Sequence, residues 1–105
     1  MELAFATRSL RDVCESAEKA RRKLGLKVSE ALRRRVADLR AAVSVNDLIA
    51  GQPHELEAAR IALNLTDGYR LILASNHAVS PKLESGKMDW SKVTRVKLLR
   101  IENGR

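Results

Sequence analysis

Between Ile61 and Leu73 the apolar residues fall on every second position: Ile61, Leu63 and Leu65, then Tyr69, Leu71 and Leu73. A period of two marks strands with one face buried. Pairing logic then selects the turn between them. A two-residue Asp67-Gly68 loop would set Leu65 against Arg70, mixing apolar with charged. A three-residue loop, Thr66-Asp67-Gly68, pairs Leu65 with Tyr69, Leu63 with Leu71 and Ile61 with Leu73. Directly opposed residues share a face, so only the second register leaves one clean apolar face. It predicts a type I turn with Gly68 in the left-handed position of the accompanying bulge. The other face carries Arg60, Asn64 and Arg70. Two cations and an amide on the open side of a sheet form a surface suited to a phosphate.

The 105 residues are expected to form one domain, 1–105, large enough to bury a core. One cysteine, Cys14, excludes an internal disulfide and suits a reducing cytoplasm. No run approaches the roughly 18 apolar residues of a membrane span. The opening MELAFATRSL lacks the charged start and apolar stretch of a signal peptide, so a cytoplasmic location is expected. The net charge of +7 is unevenly spread. Residues 1–45 carry eleven Lys/Arg against six Asp/Glu, residues 46–81 two against four, and residues 82–105 seven against three. A basic domain of this kind meets nucleic acid or an acidic partner, or simply keeps a solvated surface.

Along the chain, Glu2 to Ala6 reads as a short strand with Phe5 in the core. Ser9 with Asp12 matches a capping box. Leu10, Val13, Cys14, Ala17, Ala20 and Leu24 then recur at helical spacing up to Gly25. Cys14 lies on that stripe and reads as core. A second helix runs from about Lys27 to Ala42 on a stripe of Val28, Leu32, Val36, Leu39 and Val43. The short connection between the two implies an antiparallel helical hairpin. Arg33, Arg34 and Arg35 are either an interaction face for an acidic partner or solvated helix-forming charge. Ser44 with Asp47 can cap one further turn, closed by Gly51 and Pro53. After the hairpin, residues 76–92 read as an irregular loop anchored by Trp90, and residues 94–101 as a last strand. On it Arg95 and Lys97 share one face, Val96 and Leu98 the other. Helices followed by strands give an α+β domain with the helices on one face of an antiparallel sheet.

Metal chemistry finds little support, since His54 and His77 are the only histidines and no Cys/His or carboxylate set has ligand spacing. Phosphate-binding glycine loops and a serine nucleophile elbow are also missing. Metal-free cleavage of RNA by its own 2′-hydroxyl remains open. It needs a base, cations for the developing charge and an acid for the leaving oxygen. His54 can serve as base or acid, and Arg70 with Arg60 can hold the phosphate. Equally, a lone histidine near a strand start can be structural.

Several segments, in order, resemble the HigB/RelE-type toxins of bacterial type II toxin–antitoxin systems (the plasmid maintenance killer proteins of the RelE/ParE-like superfamily). They are His54-Glu55-Leu56, Tyr69-Arg70-Leu71-Ile72, residues 89–94 (DWSKVT), Ile101-Glu102 and the helical LRRRVADLRAA. The resemblance covers most of the chain from about Val28 to Glu102. It implies an N-terminal helical hairpin packed on one face of a small antiparallel β-sheet. It also implies a cytoplasmic toxin neutralised by a cognate helix-turn-helix antitoxin, which links it to operator DNA. Many such toxins are cofactor-free, ribosome-dependent endoribonucleases that cut mRNA and so inhibit translation. On this resemblance His54 and Arg70 are the catalytic candidates. Arg60, Arg95, Lys97 and Arg100, with Arg105, are candidate RNA and phosphate contacts.

Three positions depart from the pattern. Glu57 stands where a lysine usually follows His-Glu-Leu, the stretch from Leu56 to Ile61 is short, and Asn103-Gly104-Arg105 replaces a Tyr- or His-bearing tail. These departures keep two other readings of the same fold in view. One is a non-catalytic, ParE-like gyrase inhibitor; the other is a degenerate toxin that only binds antitoxin and its operator complex.

Overall fold

The computed structural model describes residues 1–103. Five strands, β1 (Glu2–Phe5), β2 (His54–Leu56), β3 (Arg60–Asn64), β4 (Tyr69–Ser75) and β5 (Arg95–Asn103), form one sheet in the order β1-β5-β4-β3-β2. Three helices, α1 (Arg8–Glu15), α2 (Ala17–Leu24) and α3 (Leu26–Ala41), lie between β1 and β2 in the chain. They cover one face of the sheet. Leu10, Val13, Leu32, Val36 and Leu39 from the helices join Ile61, Leu63, Leu71, Leu73, Val96 and Leu98 from the strands in one apolar cluster. Each fully buried Leu, Ile or Val in it contributes about 1.5–3 kcal/mol.

The hairpin register follows the apolar alternation. Ile61 pairs with Leu73 and Leu63 with Leu71, and the Leu65 N–H donates to the Tyr69 carbonyl at 2.9 Å. The turn differs from the type I expectation. Asp67 and Gly68 both have positive φ, 56° and 80°, the sign pattern of a type I′ turn. The Tyr69 N–H closes it on the Thr66 carbonyl at 3.1 Å. Tyr69 thus faces Leu65 and Thr66 together, and that bulge restores the register of a three-residue loop.

The sheet is mixed rather than wholly antiparallel. β1 runs parallel to β5, with Glu2 opposite Arg95 and Phe5 opposite Leu98, because the helices carry the chain away from β1 before β5 returns beside it. β5 also extends two residues past the expected end at Ile101. It contains a bulge: Ile72 pairs with Arg100 but Leu73 with Leu98, leaving Leu99 unpaired. Across that bulge Lys97 and Arg100 keep to the same face.

The helical half departs from a simple hairpin. Thr7, not Ser9, is the N-cap, its Oγ1 accepting from the Leu10 N–H at 3.1 Å. The first helix breaks at Ser16, whose extended backbone (φ −117°) and Oγ accepting from the Lys19 N–H start α2 afresh. A serine hydroxyl competes for backbone donors in this way. The apolar stripe therefore loses phase, and Ala17 is exposed. Gly25 ends α2 at φ 83°, as its position implies. Val43 lies past the end of α3 and is 74% exposed instead of continuing the stripe. Beyond it the Ser44 N–H donates to Asp47 Oδ2 at 3.3 Å, capping a 3-10 turn at Val45–Asp47. Cys14 is packed against the core, and burial pushes its thiol up to about 11.

The turn from β2 to β3 holds Ala58 and Ala59 at φ 60° and 56°. Left-handed backbone costs an L-residue on the order of 1 kcal/mol, and alanine has no side chain to offset it. Replacing Ala58-Ala59 by Asn-Gly is expected to stabilise the protein by about 1 kcal/mol. The readout is a higher urea midpoint at unchanged m-value.

Candidate functional site on the open sheet face

The face away from the helices is read directly from the register. One row across it runs Asn64, Arg70, Glu102; the next runs His54, Ala62, Ile72, Arg100; the third runs Leu56, Arg60, Ala74, Lys97, Ala4. Arg95, opposite Glu2, lies beyond the third row. His54, Arg60, Arg70, Arg95, Lys97 and Arg100, all singled out from sequence, therefore share one face of one sheet. Arg105 lies outside the described residues, as does Gly104. Adjacent strands are separated by about 4.8 Å, so His54 and Arg100 stand roughly 14 Å apart across the row.

The middle of this face is sealed. Ala62 and Ile72 have no exposed surface, although neither belongs to the helix-side core. By register, the long side chains in reach of them are Arg60, Arg70 and Arg100, whose aliphatic stems can lie along the sheet with the charge outward. The Nε of Arg70 is itself shielded from solvent and has no hydrogen-bond partner among the described residues.

Glu102 organises two of the cations. Arg70 Nη2 donates to its Oε1 at 3.0 Å and Arg100 Nε to its Oε2 at 2.6 Å. These contacts, Arg100 first and Arg70 second, hold the Glu102 carboxyl below its ordinary range. Arg95 Nε pairs with Glu2 at 3.0 Å. Among the described residues, Arg60 and Lys97 have no carboxylate within ion-pair distance, and they flank Ala74 in one row. Among the described residues the face carries five cations against two carboxylates, Glu2 and Glu102.

His54 opens the edge strand β2 and is exposed. Its Nδ1 lies 3.0 Å from the Gln52 carbonyl oxygen. A carbonyl only accepts, so Nδ1 carries the proton and Nε2 of the neutral ring holds the lone pair. That tautomer is a proton acceptor at Nε2. The corner that holds it is tied to β3: the Asn64 N–H donates to the Gly51 carbonyl and the Asn64 amide to Gln52 Oε1. Gly51 sits at φ 84°, and a Cβ there would meet Arg35 Cδ at 3.0 Å and the Asn64 carbonyl at 3.1 Å. Only glycine meets both demands.

His77 plays a different part. Its Nε2 accepts from the Thr94 N–H at 3.0 Å, fixing the loop before β5. Trp90 anchors the same loop, packing on the core and donating from Nε1 to Glu55 Oε1. Glu57 is exposed in the turn after β2. Among the described residues no three His, Cys, Asp or Glu side chains group as metal ligands, and no helix is long and apolar enough to cross a membrane.

A solved structure matches the chain over its whole length. The YoeB/ParE toxin from Agrobacterium tumefaciens superposes with a TM-score of 0.60 at 11% identity, covering 100% of both chains. The fold is that of a YoeB/ParE toxin. No family model matches the sequence, and no curated protein does. The likeness therefore concerns the α+β architecture of three helices on a five-stranded sheet.

Glu102 is the residue that sequence reasoning passed over. Its i+2 spacing from Arg100 already put both on one face, but the pairing with Arg70 emerges only from the β4–β5 register. A carboxyl lowered on folding contributes stability above its unfolded value and loses it as the pH falls. Glu102→Gln is therefore expected to lower the thermal midpoint at pH 7. The gap from the wild type should close as the pH drops below the ordinary value near 4.5.

Proposed function

We propose that the protein is the toxin of a type II toxin–antitoxin module, and that its open sheet face binds mRNA on the translating ribosome and cleaves it without a metal ion. The observation that carries this reading is the gathering of His54, Arg60, Arg70, Arg95, Lys97 and Arg100 on the face the helices leave free, within a fold shared with a YoeB/ParE toxin. His54 Nε2 takes the proton of a ribose 2′-hydroxyl. The 2′-oxygen attacks the adjacent phosphorus, the bond to the 5′-oxygen breaks, and the products are a cyclic phosphate and a 5′-hydroxyl. Arg70 and Arg60 balance the charge that develops on the phosphorus oxygens. The leaving oxygen takes its proton from water, because no second histidine shares the face among the described residues.

The cognate antitoxin in this proposal carries a helix-turn-helix domain that brings the pair to operator DNA. An acidic segment of it suits the exposed Arg33 and Arg34 of α3. Such a module acts in the cytoplasm.

A second reading, a non-catalytic toxin of the same fold that blocks DNA gyrase, draws on the same absence of a second histidine. It also draws on the pairing of Arg70 and Arg100 with Glu102, which cancels one of their two charges.

Induced expression with mapping of mRNA ends separates the two. Growth arrest with new 5′-hydroxyl ends is expected, and Arg70→Ala or His54→Ala should reduce cleavage about 100-fold or more. Arrest with intact mRNA and loss of DNA supercoiling would establish the gyrase reading instead.

A further inference from the structure

We propose that Glu102 is a built-in occupant of an anion site formed by Arg70 and Arg100, and that a phosphate of the bound RNA displaces it. This rests on the RNA-binding reading above and specifies how that face is regulated. The geometry is that of an occupied site. Each Glu102 oxygen receives one guanidinium, Arg70 Nη2 on Oε1 at 3.0 Å and Arg100 Nε on Oε2 at 2.6 Å. Two arginines would offer the same pair of charge-assisted donors to the two free oxygens of a phosphate diester.

The site is not saturated by its occupant. Each guanidinium brings five N–H donors, whereas one carboxylate offers two oxygens, and Arg70 Nε has no partner among the described residues. The three side chains together keep one net positive charge, so an incoming anion is still attracted while Glu102 is in place. The occupant can also leave. The Glu102 side chain is 28% exposed on the open face, and those of Arg70 and Arg100 are 34% and 48% exposed. The unpaired Arg60 and Lys97 lie in a neighbouring row, about 7 Å further along the strands from Arg100. They are placed to take the next phosphate once the first has displaced the carboxylate.

A carboxylate in this position lowers affinity for every anion and holds both arginines aligned for one that brings two oxygens. A structural brace alone makes a different prediction: Glu102 would stay paired, and the Arg100 Nε–Hε resonance of the wild type would not move as phosphate binds.

The test titrates inorganic phosphate into the whole chain and follows the arginine Nε–Hε resonances in wild type and Glu102→Gln. It adds the affinity for an eight-nucleotide single-stranded RNA over a salt series. Glu102→Gln is expected to bind phosphate about fivefold tighter, the scale of one unit charge at contact distance in water. Its RNA affinity should depend more steeply on salt, by about 0.7 in the log–log slope. Glu102→Asp, which keeps the charge but is too short to meet both guanidiniums, should fall between the two and serves if the glutamine variant does not fold. Unchanged or weaker phosphate binding in the variants overturns the proposal. If the wild type neither arrests growth nor binds RNA but Glu102→Gln still gains phosphate affinity, the toxin reading fails and the anion site stands. If the wild type cleaves RNA and the variants gain nothing, this inference alone fails.

Discussion

The strand β4 has to satisfy both faces of the sheet at once, and the rest of the structure answers to that constraint. Leu71, Ile72 and Leu73 are consecutive and essentially without exposed surface. Leu71 and Leu73 are covered by the helices, as a half-buried strand requires. Ile72 points the other way, where no helix lies, and is closed over from its own face. The polar side of the sheet therefore combines an apolar floor with a charged rim. Arginine suits such a rim because its stem tolerates apolar surroundings while its fork stays wet.

That arrangement explains why the open face is cationic yet restrained. Arg70 and Arg100 share Glu102, and Arg95 has Glu2. Of the positive charge left over, one unit stays with Arg70, Arg100 and Glu102, and the rest lies on Arg60 and Lys97, which stand in one row across Ala74. His54 occupies the far edge, with its tautomer set by a backbone carbonyl rather than by a carboxylate. A carbonyl partner orients the ring and leaves Nε2 as the acceptor of the neutral tautomer.

The legible parts of this structure were those governed by local period. The register of β3 on β4 follows from a clean alternation of six apolar residues, and with it the shared face of Arg60, Asn64 and Arg70. Choices among near-equal local options were not legible. Thr7 and Ser9 are both competent caps, and Ser16 interrupts a helical stripe that alanine and leucine would otherwise have continued. The type I′ sign pattern at Asp67-Gly68 places a non-glycine residue in left-handed backbone, which aspartate tolerates but does not announce. The parallel partner of β1 and the pairing of Glu102 with Arg70, 32 residues apart, depend on tertiary return of the chain. Neither leaves a trace in spacing.

The bulge at Leu99 reaches further than its size suggests. In an unbroken ladder, Lys97, Leu99 and Ile101 would share the open face, and Arg100 and Glu102 would turn toward the helices. One unpaired residue reverses that parity for the last four residues of β5. The cluster around Arg70 is thus specified by how many residues β5 contains as much as by which ones. Many side-chain replacements at Leu99 leave the count intact, whereas removal of any single residue between Lys97 and Arg100 exchanges the two sides of the strand's end. The arginine cluster is protected against substitution there and wholly exposed to a change in length.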